Sequence, residues 1–192
     1  MDSSHTKGRE FEFGVGRIME EAIAENKDEF RSEVIRHKPL MGRSVEWKPD
    51  IVLVTSRLLD SFLKPSLELA VVECKYIDDL SSEGTYWSQM SRAYLSLNDL
   101  RLANETSSFY LAVNRNSKRD YSSIFKNVGV KLVNINIPEE LSEFKSNIKR
   151  LLEENTFDEQ LKKFMQFLGE YRQISAQSME NQQKTGRGGN LP

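Results

Sequence analysis

Four times the chain places an acidic residue two positions before a lysine: Glu25 before Lys27, Glu46 before Lys48, Glu73 before Lys75 and Glu143 before Lys145. That spacing decides nothing by itself. Only Glu73-Cys74-Lys75 follows directly on a long apolar run that includes Leu69-Ala70-Val71-Val72. Side chains alternate along a strand, so Glu73 and Lys75 project from one face there and Cys74 from the other. Charges at the end of a buried strand cost several kcal/mol unless they are paired or hold a metal. A second carboxylate, Asp50, follows Pro49 and opens another β-branched run, Ile51-Val52-Leu53-Val54. If the two strands are neighbours, Asp50 and Glu73 form a pair of hard oxygen donors for one divalent cation, with the Lys75 ammonium beside them. The same residues also admit a simpler reading, in which Glu73 and Lys75 are an ion pair at a strand end and Asp50 caps a turn.

The elements that would hold these residues follow from periodicity. Phe11, Val15, Ile18, Met19, Ala22 and Ile23 recur at helical steps and predict a helix from about Gly8 to Glu25. Val34-Ile35 and Val45 mark short strands around a turn at Pro39 to Gly42. Strands are predicted at residues 51–54 and at 67–77, with a connecting segment through 58–66. Trp87, Met90, Ala93, Tyr94, Leu97 and Leu100 form the apolar face of a helix from about Thr85 to Leu102. A strand at 109–113, a short helix from about Tyr121 to Asn127 closed by Gly129, and a strand at 130–137 ended by Pro138 come next. The remainder reads as helical to about Ser175, where Phe157, Leu161, Phe164, Leu168 and Tyr171 step by four and three. Packing of that stripe onto the domain competes with a dimer seam. The expected fold is α/β, a central mixed β-sheet flanked by helices with a C-terminal helical extension, in one domain over residues 1–176. From residue 177 to 192 little can be buried, and a disordered tail is expected.

With 192 residues, 27 Lys+Arg, 29 Asp+Glu and one cysteine, the chain is sized for one self-sufficient core and holds no disulfide framework or Cys-rich zinc module. The net charge of -2 excludes a histone-like coat of positive charge and confines any nucleic-acid site to a local basic patch. No apolar run approaches ~18 residues, and an apolar leader is lacking, so a soluble cytoplasmic protein with no membrane association is expected.

Pro49-Asp50, 22 intervening residues, then Glu73-Cys74-Lys75 resembles the signature of the PD-(D/E)xK nucleases, the restriction-endonuclease-like superfamily that includes Holliday-junction resolvases. In that family a preceding helix often carries a glutamate in a Gly-x-x-aromatic-Glu pattern. Gly8-Arg9-Glu10-Phe11-Glu12 fits it and makes Glu12 the matching position. The following helix often supplies a glutamine, here Gln89, although its spacing to Tyr94 is one longer than the Gln-x-x-x-Tyr version. The resemblance spans roughly Gly8 to Ile137. It implies Asp50, Glu73 and the backbone carbonyl of Cys74 as ligands of Mg²⁺, for which Mn²⁺ would substitute. It also implies Lys75 orienting or deprotonating the attacking water, Glu12 acting through a water or second metal, and products with 5′-phosphate and 3′-hydroxyl ends. The implied protein is a DNA endonuclease, a homodimer of restriction or defence type. A recombination or repair nuclease and a non-cleaving nucleic-acid-binding module are the alternatives.

Phosphate contact is expected from Arg31, Arg36, Lys38, Arg43 and Lys48, the basic stretch entering the Asp50 strand, with Arg115, Lys118 and Arg119 as a second cluster. For the tail from Lys184 to Gly189, nonspecific phosphate contact competes with an unstructured segment of no role. The Cys74 thiol is expected to be buried and reduced. His5 and His37 lack metal-spaced partners and are read as surface residues.

Overall fold

The computed structural model describes residues 3–26, 31–61, 64–78, 82–104, 106–115 and 121–186. In chain order its elements are α1 (Ser3–Ala24), β1 (Ser32–Arg36), β2 (Leu40–Met41), β3 (Glu46–Trp47), β4 (Ile51–Ser61), β5 (Lys64–Lys75) and α2 (Glu83–Ala103). Then follow β6 (Ser108–Val113), α3 (Ser122–Asn127), β7 (Val130–Asn134), α4 (Pro138–Glu153) and α5 (Phe157–Gly186). Five strands form one sheet in the order β1-β4-β5-β6-β7, while β2 and β3 pair separately. β1, β4 and β5 run antiparallel, and β5, β6 and β7 run parallel, so the sheet is mixed.

Strand alternation splits the core in two. Ile51, Leu53, Ala70, Val72, Cys74 and Tyr110 pack under α1 and α4, against Val15, Met19, Phe144 and Ile148. Val52, Val54, Val71, Phe109, Leu111 and Val113 face the other way, onto Tyr86, Met90, Leu97 and Leu100 of α2 and Phe125 of α3. The result is a three-layer α/β domain, with both faces of the central strands buried as parallel pairing demands. The β4–β5 register shifts twice, once between Ser56 and Ser61 and once nearer the site, where Leu53 opposes Ala70 while Val54 opposes Glu68, leaving Leu69 as the extra residue of a bulge.

Several boundaries differ from the sequence pattern for local reasons. The segment at 58–66 is not only a connection, because β4 runs to Ser61, β5 starts at Lys64, and Ser61 pairs with Lys64. Val45 lies outside β3; its carbonyl accepts the Gly42 N–H in the turn joining β2 to β3. On α2 it is Tyr86 that is buried, whereas Trp87 is half exposed and stacks on Tyr121. β7 stops at Asn134, three residues early, since the Asn134 side chain accepts the Asn136 N–H and turns the chain into α4. The C-terminal helical stretch is two helices, parted where Thr156 Oγ1 accepts the Glu159 N–H as a cap. α5 then continues through Gly186, past residue 177 where composition suggests disorder, because Gln, Met, Glu and Lys sustain a helix until the next glycine. Residues 187–192 lie outside the described residues.

Candidate active site

β4 and β5 are hydrogen-bonded neighbours, and one step beyond the registered pair Ile51–Val72 stand Asp50 and Glu73. The Cys74 N–H donates to Asp50 Oδ2 at 2.6 Å, fixing that carboxylate across the strand pair. Lys75 Nζ lies 2.5 Å from Glu73 Oε1 and 3.7 Å from Asp50 Oδ2, so a single ammonium serves both acids. Cys74 faces the α1/α4 core, as alternation requires, and burial pushes its thiol well above the ordinary range, with Asp50 and Glu73 adding to the effect.

α1 brings the third acid. Glu12 and Asp50 line one hollow of about 630 Å³, with Gly8, Arg9, Arg36, His37, Tyr76 and Lys75. A second hollow of about 440 Å³ holds Glu73, Lys75, Trp47, Lys48 and, from α2, Gln89, Arg92 and Ser96. Lys75 and Gln89 border both, so the three acids and the lysine sit where two concavities meet. Gln89 therefore reaches the site despite its displaced spacing.

The electrostatics are those of a partly dry cluster of like charges. Burial raises the Glu12 carboxyl above its ordinary value and Asp50 reinforces the rise, against His37, Arg36 and Lys75. Glu73 is likewise raised by burial, with the Lys75 charge opposing. For Lys75, burial favours the neutral amine, but Glu73 and Asp50 outweigh it and hold the ammonium above its usual range. Carboxylates raised in this way gain from a divalent cation among them, and the oxygen-rich donor set suits a hard ion such as Mg²⁺.

The expected basic rim is rearranged. Arg36 lines the larger hollow, hydrogen-bonded to Glu20 and lying over the Phe13 ring, and Lys48 lines the smaller one. Lys38 instead pairs with Glu68 at 2.9 Å, away from both hollows, and Arg43 borders neither. Arg31 donates to the Ser56 carbonyl and lies over Phe157. The Arg115 carbonyl accepts from Tyr86, while Lys118 and Arg119 lie outside the described residues. Arg9 and Arg92, on separate helices, reach the hollows through tertiary placement that no local pattern announces.

His37 is exposed, as the sequence reading has it, but it is not without neighbours. Its Nε2 stands 3.3 Å from Glu12 Oε1, and the ligand atoms of Glu12, His37 and Asp50 all lie within 4.8 Å of one another. No signal in the sequence pairs a histidine in a turn with a glutamate 25 positions earlier.

No family model matches the chain, and no curated protein matches it in sequence. The crystal structure of a protein of unknown function, AF1548, is similar over 67% of this chain and 67% of its own, at 17% identity and a TM-score of 0.37. That likeness assigns neither a fold family nor a function. No helix of the described residues is long and apolar enough to cross a membrane.

Proposed function

We propose that the protein is a Mg²⁺-dependent DNA endonuclease of the restriction-endonuclease-like class. The observation that carries this reading is the junction of Asp50, Glu73 and Lys75 at the ends of paired strands, open to two hollows and flanked by Glu12 and Gln89. Asp50, Glu73 and the Cys74 carbonyl would hold the ion. When bound, it supplies a Lewis acid that lowers the pKa of water and neutralises charge on phosphoryl oxygens. Lys75 would donate a charged hydrogen bond to the attacking water or to a non-bridging phosphate oxygen. The Cys74 N–H keeps Asp50 in place without a side chain competing for the ion. Arg9, Arg36, Lys48 and Arg92 offer phosphate contacts around the hollows, which orient a duplex and carry no sequence choice.

Restriction or defence cutting and recombination or repair cutting share this chemistry and differ in substrate. Supercoiled plasmid incubated with Mg²⁺ should be cleaved by the wild-type protein, and neither EDTA nor Glu73→Ala should allow cleavage. Discrete fragments identify a sequence-choosing endonuclease; nicks, or cutting of branched DNA alone, identify the repair type. Wild-type protein that binds DNA but leaves plasmid, branched DNA and RNA intact sinks the enzyme reading in favour of a binding module.

A further inference from the structure

Phe13 takes no part in the chemistry proposed above. Phe11, two positions earlier on α1, packs against the core, whereas Phe13 is 57% exposed. A single apolar side chain on a surface needs no explanation. What sets Phe13 apart is its company, because it lines the larger hollow beside Arg9, Glu12, Asp50 and Lys75. The Arg36 guanidinium lies over one face of its ring, 4.8 Å from the centroid, and is held there by Glu20 at 3.0 Å. It crosses α1 at Gly16, where a Cβ would stand 2.5 Å from Arg36 Nη2. With one face covered and more than half of the side chain still exposed, the other face of the ring is open.

We propose that Phe13 is a stacking platform for an unpaired base beside the scissile phosphate, so that the preferred substrate is DNA with unpaired nucleotides at the cut. The inference deepens the nuclease reading and rests on it for the identity of the ligand. A paired base presents only its edges to a protein, while an unpaired base offers a face that an aromatic ring stacks on whatever the sequence. The hollow, about 630 Å³, falls within the roughly 300–1,000 Å³ of pockets that take a single small ligand, which suits a nucleotide and not a length of duplex. Arg9 and Arg36 line the same space and suit the phosphates on either side of that nucleotide. A ring that served only to seat Arg36 would look similar, but it would support paired and unpaired DNA alike.

Anisotropy in EDTA, with a blunt duplex and the same duplex carrying an unpaired arm as probes, separates the two. Wild-type protein should bind the armed duplex at least about fivefold more tightly, the lower end of what one stacked base contributes. Phe13→Leu should remove that preference while leaving blunt-duplex binding nearly unchanged, and Phe13→Tyr, which keeps a ring, should retain it. Equal affinity of the wild type for both probes, a preference that survives Phe13→Leu, an equal weakening of both probes, or no binding of either overturns the proposal. Mg²⁺-dependent plasmid cutting by a protein without the preference would sink the platform and keep the nuclease reading. A preference that follows Phe13 in a protein that cuts nothing would do the reverse.

Discussion

Lys75 is the residue on which the electrostatics of the site turn, because one ammonium, about one fifth exposed, faces two carboxylates on adjacent strands. Removing one partner of such a cluster leaves the others uncompensated, at a cost on the order of 2 kcal/mol once partial solvent screening is allowed for. Lys75→Met should therefore lower the melting temperature in EDTA. Mg²⁺ should raise it by more than it raises the wild type, since the ion replaces the lost charge. Cutting should fall by at least about 10²-fold, the usual effect of losing a preorganised donor, while DNA binding persists. Calorimetry with and without Mg²⁺, beside a plasmid assay, reads both quantities. Undiminished cutting removes the lysine from the mechanism, and a metal-independent melting temperature denies the acids an ion.

At the scale of elements, the approach to Asp50 is set by α2. Asp99 accepts from Ser44 N–H at 3.0 Å and from Trp47 Nε1 at 2.8 Å, and its own carbonyl accepts the Arg43 N–H. Gly42 has no room for a side chain, since a Cβ there would stand 2.2 Å from Asp99 Oδ2. The bond from Trp47, with those from Ser44 and Val45, lowers the Asp99 pKa against the effect of burial. A carboxylate depressed on folding stabilises the protein above its unfolded pKa, ~3.9, and loses that contribution as pH falls through the folded value. Asp99→Ala should be less stable than wild type at neutral pH, and the gap should close on acidification below the ordinary carboxylate range. Urea melts between pH 7 and pH 3 decide this; a constant gap shows that the carboxylate charge is not what anchors the loop.

These elements were unequally legible in the sequence. β4 and β5, buried on both faces, announce themselves by apolar runs ending in charge, and so Asp50, Glu73 and Lys75 could be picked out. The Asp99 clasp and the approach of His37 to Glu12 depend on contacts between elements far apart in the chain, which periodicity does not encode. Lys38 fits a basic stretch by composition, yet a partner at Glu68, on β5, fixes its direction.

For the molecule as a whole, α5 is the element least absorbed by the domain. Gln160 donates to the Ser56 carbonyl near its start, but Met165, Phe167, Tyr171 and Ile174 are each about 60% exposed. Phe167, Tyr171 and Ile174 share one face of the helix, which pairing with a second copy would cover, while Met165 lies on the opposite face. Such pairing would make the homodimer that the family resemblance implies, with one site for each strand of a duplex. Light scattering should give twice the chain mass for the wild type and the chain mass for Phe167→Glu, which puts a charge into that apolar face. A monomeric wild type would leave the face without this role.

The bulge at Leu69 gives β5 one residue of slack between Glu68 and Glu73. A deletion of Leu69 would close the bulge, restore the two-residue alternation and leave Asp50 opposite Glu73, at the expense of one buried leucine. A deletion within Ile51–Leu53 has its slack only farther off, between Ser56 and Ser61, so it would shift Val54 to Ser56 by a residue or turn Asp50 to the opposite face. Changes of chain length are thus tolerated asymmetrically beside the site, with β5 free to shorten by a residue and the stretch of β4 next to Asp50 held to its count.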